Sequence, residues 1–506
     1  MANWSNLNPK HSLALVVVTL LLSTTSCAMP DPPSTPYAVG VKTLFIHDKS
    51  RPYDAVAGVD KGVRSLITEV WYPVSHKVIA QDQAQKTRAY PRAKFGDYSF
   101  ARSDVHHKMM TQTTFFHLTP DTVIEGVDQQ QISAAINELF HRERDSFRDA
   151  PLAETKQAFP IVVMTHGDAG SRYNMETVCE YLAAHGYVVI APEHTGNTPF
   201  AQTGEDPALA GDYENAEVAS KMREIVPLLN DDGTYGAIDK YGQSYTPLAS
   251  GAPNAESFIQ LDQALVERVN DLRAALATLE QWNSKGEFAN RLNMDQVGVM
   301  GRSFGGMTTL AALGLEDQFS AGVAVVPLVF PDVRPALQND LTHYSPRESA
   351  LLNQNGTVVM NTLQKPTLLL SGAQDALIIG SGVRMQQAFG GPVPSASNPH
   401  AQLRESFELS NQPVYWGMLE NSNHSSFGVS GGYWWPHLKP STQKRTFNPE
   451  QDFNLISPIK AHSIQRDRVL HFFDVYLKQV EASKALLHTN PFAEQGFSFE
   501  YRNTRQ

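Results

Sequence analysis

The run Gly301-Arg302-Ser303-Phe304-Gly305-Gly306 follows Val297-Gly298-Val299-Met300 and leads into Met307-Thr308-Thr309-Leu310-Ala311-Ala312-Leu313. An apolar run of strand length before a helical run predicts a sharp strand-to-helix turn with the serine at its apex, and flanking glycines leave room for it. A serine held this way is a nucleophile in need of a base. A second string of the same pattern, Gly428-Val429-Ser430-Gly431-Gly432, follows no apolar strand and runs into Tyr433-Trp434-Trp435-Pro436, so it reads as a flexible loop.

A hydroxyl becomes nucleophilic when an imidazole takes its proton, and that imidazole needs a third group to fix its tautomer. In such a strand-turn-helix setting the acid and then the histidine are expected downstream of the serine. Leu368-Leu369-Leu370-Ser371-Gly372-Ala373-Gln374-Asp375 reads as a buried strand that breaks at Gly372 and presents Asp375 at its carboxyl end, with Asp332 as the competitor. Six histidines follow Asp375: His400, His424, His437, His462, His471 and His488. Of these, His424 directly follows an apolar strand and sits in the short polar loop begun by Glu420-Asn421-Ser422-Asn423. A tetrahedral oxyanion would take the backbone N–H of Phe304 at a helix N-terminus. The second donor would be the N–H of Asp168, in Thr165-His166-Gly167-Asp168-Ala169-Gly170. Tyr415, Trp416, Tyr433, Trp434 and Trp435 cluster around His424 in sequence and read either as core packing or as the lining of a substrate pocket for an apolar or aromatic group. Glu193-His194 and His106-His107 lack the i, i+4 spacing of helical metal ligands, so no metal site is expected.

These groups need a scaffold, and the chain supplies one in alternating pieces. Apolar runs at 161–165, 187–191, 296–300, 321–326, 366–370 and 414–419 alternate with amphipathic stretches, which predicts an α/β fold with a mostly parallel central sheet and helices on both faces. Leu261, Leu265, Val269, Leu272, Leu276 and Leu279 form one stripe at the 3.6-residue period, and Val469, Phe472, Phe473, Tyr476 and Leu477 mark a last helix. The alternation of Ser65 through Tyr72 predicts an antiparallel opening strand ended by Pro73. Insertions are expected at about 74–158, 199–257, 327–364 and 427–454, with residues 486–506 as a C-terminal tail after a single domain over 36–485. The first insertion, where Ile132, Ile136, Leu139 and Phe140 recur at helical spacing, reads as a cap or as an extra hairpin-plus-helix layer.

Composition sets the outer bounds. The 506 residues are 42% hydrophobic and 18% charged, which excludes fibrous and disordered classes, and the net charge of −11 argues against nucleic acid as a partner. Lys10 and His11 precede an apolar core at 13–22 and then Ser23-Thr24-Thr25-Ser26, the pattern of an export signal over residues 1–28 and too short to span a bilayer. Two processing routes are open: lipidation at Cys27, giving an anchored lipoprotein, or an ordinary cut after Ala28, giving a secreted or periplasmic protein. Either leaves Cys179 as the one free thiol, so no disulfide framework is expected.

The chain resembles the serine α/β-hydrolases, and more narrowly the bacterial esterases similar to platelet-activating-factor acetylhydrolase and to dienelactone-hydrolase-like proteins. The resemblance is carried by Trp71-Tyr72-Pro73, Thr165-His166-Gly167, the run from His185 through His194, and Ser303-Phe304-Gly305-Gly306. It implies an α/β-hydrolase fold and hydrolysis of a small-molecule or lipid ester through an acyl-enzyme, without metal or organic cofactor. Three departures stand out. The acetylhydrolase acid sits on the strand after the elbow helix, where this chain has Val326; Arg302 stands where that family has His; and Asp168 stands where an apolar residue is common. Dienelactone hydrolases use Cys where this chain has Ser303. A lipase or cutinase-like polyesterase, a phospholipid acetylhydrolase and a non-catalytic binding protein on the same scaffold are the competing expectations.

Overall fold

The computed structural model describes residues 35–99, 102–118, 128–237, 243–245, 253–353, 363–434 and 442–503. The export signal, Cys27 and Trp435 lie outside the described residues. Residues Pro36–Gln506 pack as one unit.

The apolar runs form strands because each buries both faces. In chain order the strands are β1 (Ala38–Asp48), β2 (Arg64–Val74), β3 (Arg92–Lys94), β4 (Glu143–Arg148), β5 (Phe159–Thr165), β6 (Val188–Pro192) and β7 (Leu292–Arg302). They continue with β8 (Phe319–Val325), β9 (Thr367–Gly372), β10 (Val414–Leu419), β11 (Thr442–Arg445), β12 (Asn448–Asn454) and β13 (Phe497–Arg502). All but β11 and β12, which pair as a separate hairpin, join one sheet in the order β13-β10-β9-β8-β7-β5-β6-β2-β1-β4-β3. The six strands from β10 to β6 run parallel, and β13 and β2 pair antiparallel at either side of them.

Alternation along β5 divides the core. Ile161 and Val163 pack with the helices Ala255–Lys285 and Phe304–Leu315, while Val162 and Met164 pack with Glu176–Ala184 and Pro458–Tyr476 on the opposite face. The long helix Ala255–Lys285 starts from a capping box, in which Asn254 accepts from the Ser257 N–H and Ser257 accepts from the Asn254 N–H. Its stripe of Leu261, Leu265, Val269, Leu272, Leu276 and Leu279 is buried as the spacing predicts.

Four features differ from the sequence expectation. Strand β2 runs through Pro73 to Val74, since β1, which the mixed residues of 38–48 concealed, pairs along its whole length. The first insertion extends the sheet: β4 adds parallel to β1, β3 pairs with β4, and Ile132, Ile136 and Leu139 of the helix Gln129–His141 enter the core. Residues 486–506 are not a mere tail, because β13 pairs with β10 from Val414 to Leu419 and Phe497 fills the space left by Gly417. The second serine string is no flexible loop either: Val429–Tyr433 forms a π-helical turn, Val429 is buried, and its N–H donates to the Asn174 carbonyl at 3.2 Å.

Candidate active site

Ser303 caps the step from β7 to the helix Phe304–Leu315 with φ 59° and ψ −122°, a strained backbone for a non-glycine residue. The turn is tight because its glycines have no side chains. A Cβ on Gly301 would strike the Gly305 carbonyl, and one on Gly305 would strike the Thr165 carbonyl of β5. The Ser303 N–H donates to the Val325 carbonyl at 2.8 Å, which ties the apex to β8.

Asp375 follows β9 and caps the next helix, Ala376–Phe389, accepting from the Ile378 N–H at 3.1 Å through Oδ1. Its other oxygen, Oδ2, lies 2.8 Å from His424 Nδ1, and His424 Nε2 lies 2.9 Å from Ser303 Oγ. Asp375 can only accept as a carboxylate, so the proton sits on Nδ1 and Nε2 is left to accept from the hydroxyl. Burial would push the Asp375 carboxyl up, but its interaction and hydrogen bond with His424, together with His400 and the Ile378 N–H, hold it below the usual range. The structure thus brings Ser303, His424 and Asp375 into one hydrogen-bonded line. Asp332 instead pairs with Arg334 at 2.7 Å, and Val326, just past β8, carries no charge and stands at φ 42°.

The loop after β5 runs beside the nucleophile: a Cβ built on Gly167 would lie 3.7 Å from Ser303 Oγ. Its peptides are fixed from behind. The Gly167 carbonyl accepts from His166 Nδ1–H at 2.7 Å and from the Gly170 N–H at 3.1 Å. In a trans peptide the Asp168 N–H points opposite to that carbonyl. The Asp168 side chain accepts from Asn197 Nδ2 at 2.7 Å and Gln243 Nε2 at 2.8 Å, and burial pushes its carboxyl up.

The four described aromatic residues pack elsewhere, so the pocket reading finds no support in them. Tyr415 and Trp416 are strand neighbours and point to opposite faces. Tyr415 hydrogen-bonds Tyr476 at 2.9 Å and stacks on Tyr501, whereas Trp416 donates to Ser371 Oγ at 3.0 Å and lies under Arg404. Tyr433 stacks on His462 with ring centroids 4.6 Å apart, and Trp434 packs edge-on against Phe95. Each is consumed by packing.

Sequence reasoning assigned no role to two arginines. Arg302 donates from Nη2 to the His424 carbonyl at 2.6 Å, and Gly428 of the π turn closes over its guanidinium. Arg268 lies behind the loop after β5; a charged residue between Leu265 and Leu272 on an apolar stripe was the available signal. Glu193 and His194 belong to buried networks: Glu193 pairs with Arg172 at 2.9 Å, and His194 bridges Thr165 Oγ1 at 2.8 Å and Asp271 Oδ2 at 2.9 Å. Thr165, His194 and Asp271 copy the hydroxyl-imidazole-carboxylate arrangement, yet all three are sealed from solvent and burial pulls His194 down to about 3. Access separates that line from the one at Ser303, where serine and imidazole are each 8% exposed. Among the described residues no cluster of three His, Cys, Asp or Glu is disposed to hold a metal, and no helix is long and apolar enough to cross a membrane.

Residues 127–342 match the family described as platelet-activating factor acetylhydrolase, isoform II. The platelet-activating factor acetylhydrolase of Cavia porcellus is 26% identical over 196 residues, covering 36% of this chain and 38% of that protein. That of Gallus gallus is 25% identical over 188 residues, covering 35% of this chain and 40% of that protein. The chain therefore matches only about two fifths of the length of these relatives. The matched family segment contains Ser303, Phe304 and Asp168 and stops before Asp375 and His424. A ferulic acid esterase from Streptomyces cinnamoneus superposes with a TM-score of 0.51 at 18% identity, over 93% of this chain and 98% of that one. The chain has the α/β-hydrolase fold.

Proposed function

We propose that this chain is a serine carboxylic ester hydrolase working through an acyl-enzyme. The reading rests on one observation above all: Ser303 Oγ, His424 and Asp375 are linked by contacts of 2.9 and 2.8 Å, on a strained turn that also opens a helix. In this mechanism His424 Nε2 takes the Ser303 proton as Oγ attacks the ester carbonyl, while Asp375 holds the Nδ1–H tautomer and stabilises the imidazolium. The negative charge that develops on the carbonyl oxygen is held by the N–H groups of Phe304 and Asp168. His424 then returns the proton to the departing alcohol. Water, deprotonated by the same imidazole, releases the acid and restores Ser303.

The similarity to acetylhydrolases over the nucleophile segment and the low exposure of Ser303 both favour esters with a short acyl group over long-chain or polymeric ones. Hydrolysis of p-nitrophenyl acetate tests the activity: turnover is expected from the wild type and absent from a folded Ser303→Ala variant, and turnover that survives the substitution would reject the proposal. Export from residues 1–28 belongs to the same reading. Mass spectrometry of the mature N-terminus distinguishes a lipidated Cys27 from a cut after Ala28, and an intact Met1 in the exporting cell would reject both.

A further inference from the structure

If Ser303 is the nucleophile, two peptide segments face one developing negative charge: the turn at Phe304 and the loop after β5. One side chain grips both. Arg268 is fully buried on the helix Ala255–Lys285. Its Nη2 donates to the His166 carbonyl and, at 3.2 Å, to Thr165 Oγ1. Its Nε donates to Thr308 Oγ1 at 2.9 Å, and Thr308 Oγ1 donates in turn to the Phe304 carbonyl at 2.9 Å. The guanidinium carbon stands 4.6 Å from the centre of the Phe304 ring, and Nη1 donates to Asn197 Oδ1 at 2.6 Å.

Every one of these hydrogen-bond partners is neutral, which sets Arg268 apart. Buried Arg64 meets Asp271 at 2.7 Å, Arg172 meets Glu193 at 2.9 Å, Arg144 meets Glu176 at 2.9 Å and Arg468 meets Asp467 at 2.5 Å. Among the described residues no carboxylate lies within ion-pair distance of Arg268; Asp168, linked to it through the Asn197 amide, and Asp271 act on it from longer range. Burial accordingly pulls its guanidinium down to about 10, whereas Asp271 pushes Arg64 up and Glu193 and Glu69 push Arg172 up against the same effect of burial. A buried cation without a directly paired counter-ion is costly, and a hydrophobic helix stripe has cheaper ways to pack.

We infer that Arg268 is a positioning residue of the oxyanion site. It clamps the His166 carbonyl on one side and the first turn of the Phe304–Leu315 helix on the other, and keeps a positive charge with no directly paired carboxylate behind the point where the oxyanion forms. A fixed charge in a water-poor interior stabilises the transition state more than the neutral ester. The inference rests on the serine esterase reading and adds a residue that touches neither substrate nor triad.

The test uses Arg268→Gln, which keeps donors and loses charge, Arg268→Lys, which keeps charge and loses the fork, and Thr308→Val, which frees one anchor with the charge in place. Active sites are counted with a fluorophosphonate, and kcat, KM and the inhibition constant of a trifluoromethyl ketone are measured per site. That ketone forms an anionic hemiketal on the serine. Arg268→Gln is expected to lower kcat about 100-fold per titrated site with KM nearly unchanged and ketone affinity falling in parallel, and Arg268→Lys to recover part of the loss. An unchanged kcat, or a loss confined to KM with full ketone affinity, would leave Arg268 a packing residue and overturn the inference. Should Arg268→Gln not fold, Thr308→Val decides: kcat and ketone affinity drop together, or remain at wild-type values and sink the idea. Failure of the wild type to take up fluorophosphonate would instead reject the serine reading itself, and this inference with it.

Discussion

Asp375 caps one helix and orients one imidazole with its two oxygens, so its charge and its geometry are separable. Asn at this position still accepts from the Ile378 N–H, because Asn and Asp cap helices about equally well. The account therefore predicts that Asp375→Asn lowers kcat about 10⁴-fold through loss of the correct tautomer while the thermal midpoint barely moves. Steady-state kinetics beside a melting curve checks this, and a large loss of stability with modest loss of rate would count against it. At this scale the meeting of Ser303, Asp375 and His424 could be anticipated from a motif and chain order. The sequence was unreadable where a role depends on what faces a side chain: Trp416 and Tyr415 are adjacent in the chain and on opposite sides of the sheet. Arg268 interrupted an apolar stripe in plain view, but the neutral partners that make it unusual come from three distant segments.

Strand β10 delivers His424, and two elements fix β10. On one side β9 carries Asp375, and on the other β13 lays Phe497, buried, over Gly417. Phe497→Ala is predicted to cost about 3–5 kcal/mol in urea unfolding as a cavity opens beside β10. A second element-scale prediction concerns pH. Glu176 and Glu180 of the helix Glu176–Ala184 share Arg144 of β4 with Glu69, at 2.9, 3.8 and 3.8 Å, while Glu69 and Glu193 also take Arg172, and Arg148 lies 3.6 Å from Glu69. Burial, with too few cations for the acids, pushes the Glu176 and Glu180 carboxyls up. The folded state then holds protons that the unfolded state has released, so stability falls as pH rises from about 4.3 through the raised values. Glu176→Gln removes part of that slope: its melting temperature relative to the wild type is expected to climb between pH 5 and pH 8, and a constant difference would contradict the assignment. The buried parallel strands were legible as apolar runs. Strands β1 and β13 were not, because Lys42 and Thr43, or Ser498 and Glu500, alternate with residues that read as loop until a partner strand pairs with them.

Across the whole molecule, the insertions build outward from the sheet. The segment between β2 and β5 lengthens the sheet, and parts of 199–237 join the 53–63 loop in a small satellite core around Tyr53, Val63, Met222 and Ile225. A cleft of about 640 Å³ lined by Glu267, Asn270, Arg273, Tyr344 and Glu348 does not include Ser303. With Ser303 and His424 each 8% exposed, kcat/KM is predicted to fall along p-nitrophenyl esters from acetate to palmitate. A rise with chain length, or a jump on insoluble substrate, would favour the lipase or polyesterase reading instead.

The chemistry of the whole chain reduces to whether the hydroxyl at 303 is activated. Incubation with a fluorophosphonate, followed by intact-mass and peptide mapping, measures this directly. The account predicts one covalent adduct on Ser303, lost in Ser303→Ala and strongly slowed in His424→Ala. A wild-type chain that takes no adduct, or takes it at Ser430, would contradict it.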